Sequence, residues 1–368
     1  TCSTTWPGCC GRTGGSDARM PDVRPQTDWP QGRVIKLAHR SQVLAGNPWN
    51  DPTERDVAVY LPHGYDATGP AYVALWDLAA YTNAGPGHLN WRNHGENLPA
   101  RLDRLIGSGA MAPAVVVIPD CYTSLGGNQY VKSSAVGRYA DYLVEELVPF
   151  VENEVNVVED RRGRALFGKS SGGYGALYHA MVYADTWGAA ASHAADVGFD
   201  LLFRSEFPLA CEMLGSLNGD STTFIRSFWT KNRPNGRDFT VMMLLAMAAS
   251  YDPDPERPEK IRLPFDLRTC AIDPDSWQAW LDFDPLNLLE RHADALHTLH
   301  GLFVDVGMYD QYRIQYGTRR FTDRLRELGI PHHYEEFEGT HSAIDWRLDH
   351  SLPYLVDALK SALEETTL

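Results

Sequence analysis

Basic character is what this chain of 368 residues lacks most plainly. Lys and Arg total 33 against 48 Asp and Glu, for a formal net charge of −15. No basic face is easily assembled from that balance, so nucleic acid is not expected as a partner. Long apolar runs are also missing. A bilayer span needs about 20 apolar residues. The longest candidate, residues 241–249 (VMMLLAMAA), is far shorter and reads as a buried helix, so no membrane span is expected. Residues 1–20 have no apolar stretch of the kind a secretory leader needs. They are rich in Gly, Ser, Thr and Cys, and residues 1–30 read as a flexible lead-in, with Met20 a candidate native start. Cysteine is sparse and poorly spaced for metal. Cys2, Cys9 and Cys10 lie in the lead-in, while Cys121, Cys211 and Cys270 are scattered with no C-x-x-C pair. That pattern fits a reduced, cytoplasmic compartment and neither a disulfide framework nor a zinc site. No metal and no cofactor are expected, and no internal repeat is visible.

What remains is a globular composition, 43% hydrophobic and 11% aromatic, long enough to bury a large core. Residues 33–37 and 55–61 alternate like half-buried strands. Residues 71–76, 114–118, 187–192 and 301–306 are runs suited to strands covered on both faces. Helical spacing appears near 96–108, 139–154, 315–328 and 351–364, with a further strand at 333–337. Strands alternating with helices predict an α/β fold with a mostly parallel sheet. Residues 31–368 read as one domain. Within it, about 196–300 breaks the alternation with many aromatics and a Pro-rich turn, and reads as an insertion over the sheet edge.

The most informative stretch is residues 163–176. Gly168-Lys169-Ser170-Ser171-Gly172 is G-x-S-x-G, preceded by the apolar Ala165-Leu166-Phe167 and followed by small residues at helical spacing. In a nucleophile elbow the central Ser sits on a strained strand-to-helix turn, and its neighbours are small because strand and helix crowd there. The hydroxyl is lifted above the sheet, and the first helical amides point at the developing oxyanion. Ser170 is therefore a candidate nucleophile. The same residues also spell G-x-x-x-x-G-K-S from Gly163 to Ser170, a phosphate-binding loop. A phosphate loop wraps its ligand with the residues between its glycines. Here three of those four are apolar and read as strand, and no strand precedes Gly163, so this reading is disfavoured. A third reading is a Gly-rich turn without chemistry.

A nucleophilic Ser needs a base, and the base an orienting acid. In one common chain order the acid follows the nucleophile and the His comes last. Residues 304–310 offer Asp305, inside the apolar run, and Asp310, beyond the Gly307 turn; Asp310 is favoured. His341, in Glu338-Gly339-Thr340-His341-Ser342, follows the last strand and precedes the last helix, and is the candidate base. His193 ends the strand after the elbow and is a candidate pocket residue, with Trp76, Asp77 and Tyr174. The oxyanion hole needs two N–H donors. Ser171 supplies one, and Leu78, in the loop expected after residues 71–76, the other. Many hydrolases carry His-Gly there; this chain has Trp76-Asp77-Leu78-Ala79.

These residues resemble the Putative esterase branch of the α/β-hydrolases, which includes esterase D (S-formylglutathione hydrolase), enterochelin esterases, feruloyl esterases and mycolyltransferases. The resemblance spans about residues 33–360. It rests on residues 55–65 (RDVAVYLPHGY), 168–176 (GKSSGGYGA), 305–310 (DVGMYD) and 337–342 (FEGTHS). It implies an α/β-hydrolase fold with Ser170 as nucleophile, Asp310 as acid, His341 as base, and the Leu78 and Ser171 amides as the hole. The expected activity is carboxylic-ester hydrolysis through an acyl-enzyme, without cofactor, on a small-molecule ester. The aromatic insertion suggests an apolar or aromatic acyl pocket. Acyl transfer to a non-water acceptor, and a non-catalytic binding role on the same fold, are the alternatives. A homo-oligomer is compatible with the sequence.

Overall fold

The computed structural model describes residues 28–365. Most of the expected lead-in, with Met20 and three of the cysteines, lies outside the described residues. Eight strands form one sheet: β1 (Arg33–Arg40), β2 (Glu54–Leu61), β3 (Ala74–Leu78), β4 (Val115–Pro119), β5 (Arg164–Lys169), β6 (Ala189–His193), β7 (Gly301–Gly307) and β8 (His333–Phe337). Their spatial order is β1-β2-β4-β3-β5-β6-β7-β8. β2 runs antiparallel to both β1 and β4, and every pairing from β4 through β3 to β8 is parallel. The chain therefore has the α/β-hydrolase architecture. Among the described residues no helix is long and apolar enough to cross a membrane.

Period-two alternation sorts each central strand between two apolar layers. Trp76, Leu78, Val115, Val117 and Leu166 face one side, where helix Ser171–Val182 and the insertion pack. Leu75, Val116, Ile118, Phe167 and Phe303 face the other, against helices Leu98–Gly107 and Leu348–Glu364. With both faces covered, β3 and β4 have no exposed position.

One boundary differs from the sequence reading in a way that matters. β3 ends at Leu78, not Trp76, so Asp77 and Leu78 are strand residues in register with Phe167 and Gly168. An acid is tolerated inside that buried strand because His88 Nδ1 is hydrogen bonded to the Asp77 carboxylate. Burial alone would lower the His88 pKa, but the charge and hydrogen bond of Asp77, with the charge of Asp345, together raise it.

Residues between β6 and β7 form a helical cap. Its helices include Phe207–Gly215, Ser221–Thr230, Gly236–Tyr251 and Pro274–Leu281. Most of its aromatics are core. Phe199 packs against Phe203 and Tyr251, Trp280 stands edge-on to Phe203 and Tyr251, and Phe207 packs on Phe265 and Trp277. Helix Pro285–His297 then returns the chain to β7.

Candidate active site

The elbow is built by steric necessity. Ser170 has φ 56° and ψ −123°, a conformation L-residues rarely adopt, at the head of helix Ser171–Val182. Its N–H donates to the His193 carbonyl at 2.9 Å, and its carbonyl accepts from Tyr174 N–H at 2.7 Å. Two neighbours must be glycine. A Cβ on Gly172 would lie 1.9 Å from the Leu78 carbonyl oxygen, and one on Gly168 would lie 2.5 Å from the Gly172 backbone. Arg164–Lys169 is strand, so the residues between Gly163 and Gly168 cannot wrap a phosphate. The phosphate-loop reading is thereby excluded.

Two loops at the carboxyl ends of β7 and β8 hold the candidate acid and base. Met308 N–H donates to the Phe337 carbonyl and Tyr309 N–H to that of Gly339, both at 2.9 Å, so the loops advance together. Asp310 is buried. One carboxylate oxygen lies 2.8 Å from His341 Nδ1, and the other accepts from Tyr312 N–H at 2.9 Å. Gln311 Oε1 accepts the His341 backbone N–H at 3.0 Å. The Tyr312 ring stands edge-on to the imidazole, with centroids 4.9 Å apart. Held this way at Nδ1, the imidazole leaves Nε2 as the free nitrogen.

Ser170 and His341 line one cavity of about 470 Å³. Ala80, Tyr81 and Thr82 form one wall, and Leu202, Phe239 and Met243 from the cap form another. Among the cap aromatics in this wall, Phe239 is the contributor the structure describes. Ser171 and Leu78 flank the elbow as expected in chain position. Leu78, however, sits within the sheet, and the cavity wall on that side begins at Ala80. Among the described residues no backbone carbonyl accepts from Ala79 or Ala80 N–H.

The four candidate pocket residues divide. Asp77 and His193 line a second cavity of about 250 Å³ behind the elbow, with His88, Arg92, Lys169 and Asp345. Burial lowers the Lys169 pKa there. Trp76 and Tyr174 line neither cavity. Strand alternation turns Trp76 into the core, edge-on to Trp187, and Tyr174 lies one helical turn past the elbow, among Tyr178, Phe199 and Tyr251.

Asp305 has a separate set of partners. One carboxylate oxygen lies 2.8 Å from His193 Nδ1, and the other accepts from Arg347 Nε at 2.6 Å. His193 Nε2 lies 2.8 Å from Ser351 Oγ. Ser351, His193 and Asp305 thus repeat a Ser–His–Asp arrangement, but Ser351 and Asp305 are wholly shut from solvent.

Sequence reasoning missed Asp196. It lines the cavity shared by Ser170 and His341, and its carboxylate accepts from Ser171 Oγ at 3.3 Å. Desolvation raises its pKa to about 6, against a smaller lowering by His341. An acid in the otherwise small and apolar stretch after β6 was the available clue.

With that geometry in place, comparison with known proteins is direct. The Putative esterase family model matches residues 52–351. The chain belongs to this family. It is similar to Esterase Rv1288 of Mycobacterium tuberculosis, with 24% identity over 344 residues covering 90% of this chain and 59% of the relative. The chain thus spans about three-fifths of the length of that curated esterase. Among solved structures it resembles a ferulic acid esterase (TM-score 0.57, 18% identity, covering 89% of this chain and 99% of the other). It also resembles an S-formylglutathione hydrolase from Agrobacterium tumefaciens (TM-score 0.54, 18% identity, 92% and 99%). A fluorophosphonate-binding serine hydrolase of Staphylococcus aureus, FphF, is similar as well (TM-score 0.54, 15% identity, 89% and 99%). At these identities the structural likeness concerns the α/β-hydrolase fold.

Proposed function

We propose that the protein is a serine carboxylic-ester hydrolase working through an acyl-enzyme. The observation that carries this reading is the strained Ser170 sharing one cavity with a His341 imidazole held at Nδ1 by buried Asp310. His341 Nε2 takes the Ser170 proton as Oγ attacks the ester carbonyl. The tetrahedral oxyanion is held by the Ser171 N–H, at the head of its helix, and by an amide at the end of β3, where Leu78 leads into Ala79 and Ala80. His341 then protonates the departing alkoxide, which leaves as the alcohol. Water, deprotonated by the same imidazole, attacks the acyl carbonyl and releases the acid. Asp310 keeps the ring oriented and stabilises its protonated form. The cap side chains Leu202, Phe239 and Met243 favour an apolar portion of the substrate.

Fluorophosphonate labelling followed by peptide mapping tests the assignment. The adduct is expected on Ser170 and is lost in Ser170→Ala, along with hydrolysis of p-nitrophenyl esters. A folded protein that hydrolyses these esters while Ser170 stays unlabelled would overturn it.

A further inference from the structure

The catalytic cavity holds a carboxyl group that ester hydrolysis by Ser170, His341 and Asp310 does not use. Asp196 is only 6% exposed and shares the cavity wall with Ser170 and His341. Its surroundings were built to reach it. Tyr251 OH donates to Gln129 Oε1 at 3.1 Å, Gln129 Nε2 donates to Ser171 Oγ at 2.7 Å, and Ser171 Oγ donates to Asp196 at 3.3 Å. Donors and acceptors alternate in one direction along this buried chain, and it terminates on Asp196. Gln129, the other amide donor nearby, donates to Ser171 and also interacts with the Asp196 carboxylate. Among the described residues no Lys or Arg forms an ion pair with Asp196, and a carboxylate offers about four acceptor sites. With Ser171 and Gln129 as its donors, the buried acid keeps acceptor capacity to spare. Leu202, Phe239, Met243 and Ile314 give part of the cavity wall an apolar surface that supplies no donor. Glu206, in the same wall, adds a second acid.

We propose that Asp196 is a substrate subsite that accepts a hydrogen bond from a hydroxyl or amino group lying close to the ester bond, and that esters bearing a carboxylate there are rejected. The inference rests on the catalytic reading given above and narrows its substrate class. The apolar wall holds the hydrocarbon portion, and Asp196 selects the analogue carrying a donor. A site built to hydrogen-bond a substrate hydroxyl discriminates against the analogue lacking it, because its own polar group is then left unpaired. Asp196 touches substrate in this scheme but takes no part in proton transfer.

The test compares matched pairs: p-nitrophenyl β-hydroxybutyrate with p-nitrophenyl butyrate, and ethylene glycol monobutyrate with propyl butyrate. In at least one pair the wild-type kcat/KM is expected to favour the hydroxylated ester by about tenfold or more. Asp196→Leu should abolish that preference, read as the ratio of kcat/KM within each pair, and Asp196→Asn, which still offers an acceptor, should keep part of it. If Asp196 instead serves only to stabilise protonated His341, both esters of each pair lose rate equally and the ratio stays put, which would overturn the proposal. A second measurement requires no turnover. In Ser170→Ala protein, calorimetric binding of β-hydroxybutyramide and butyramide derivatives should differ by a similar factor, and the difference should vanish on adding Asp196→Leu. Equal binding of the two amides, together with equal turnover of both ester pairs, refutes the subsite. Failure of Ser170 to label would count against the esterase reading and leave the binding comparison to decide this one.

Discussion

Replacing Asp196 by Asn should stabilise the protein, and the gain should depend on pH. The carboxyl is buried, and its pKa is raised from 3.8 to about 6, chiefly by desolvation. Each unit corresponds to about 1.4 kcal/mol between protonation states. A folded-state pKa above the unfolded value means the native protein binds the proton more tightly. The favourable contribution is therefore complete below pH 3.8 and is lost as the pH rises through about 6. At pH 8 the ionised acid costs the folded state about 3 kcal/mol, and at pH 5 roughly half of that. Asn carries no charge in either state. Asp196→Asn should thus raise unfolding free energy by about 3 kcal/mol at pH 8 and by about 1.5 kcal/mol at pH 5, apart from an offset common to both. For a chain of this size the gain at pH 8 is about 4 °C in Tm. Urea unfolding of both proteins at the two pH values measures it. A stability difference that is the same at pH 5 and pH 8, or one that shrinks as the pH rises, would refute the reasoning. Such a gain would identify Asp196 as a residue kept at a cost to stability, as active-site acids often are.

Other substitutions read different parts of the structure. His341→Ala should lower kcat by several orders of magnitude, as triad variants do, with little change in fold by circular dichroism; a fall below about tenfold would misassign the base. Asp310→Asn and Asp305→Asn should separate two acids that neighbour each other in sequence. The first should lower kcat by about 10⁴-fold by analogy with triad acids, while the second should destabilise by about 1–3 kcal/mol by leaving buried Arg347 with Glu335 as its one remaining carboxylate partner. Gly172→Ala should prevent folding or cost on the order of 4 kcal/mol, because the added Cβ meets backbone and not a movable side chain; a well-folded variant would contradict the elbow geometry. Met243→Ala should enlarge the cavity and shift preference among p-nitrophenyl esters toward longer acyl chains, with an unchanged chain-length profile counting against the cap as its wall.

The fold was legible because its cues are local. Apolar Ala165-Leu166-Phe167 between two glycines separated strand from phosphate loop, and the late order of Asp310 and His341 followed from where strands end. The extent of β3 was not legible. Asp77 reads as a strand terminator, and its tolerance depends on His88, eleven positions away in a separate turn. The break in alternation marked residues about 196–300, but their aromatics carry no label distinguishing core from cavity; tertiary packing turned most of them inward. Asp196 escaped notice for the same reason. Its meaning comes from Ser171, Gln129 and Tyr251, which the sequence scatters over more than a hundred positions.

Ser351, His193 and Asp305 bear on how such enzymes are recognised. A search for hydrogen-bonded Ser–His–Asp sets would return the buried constellation, whose His–Asp bond is as short as the candidate catalytic one. What sets them apart is not the three side chains. Ser351 lies on an ordinary helix with no opening to admit an ester, whereas Ser170 occupies a distorted backbone position facing a cavity. For a template meant to find hydrolases, the discriminating variables are therefore the main-chain torsion of the serine and the empty volume in front of it. A template lacking both would flag His193 as readily as His341.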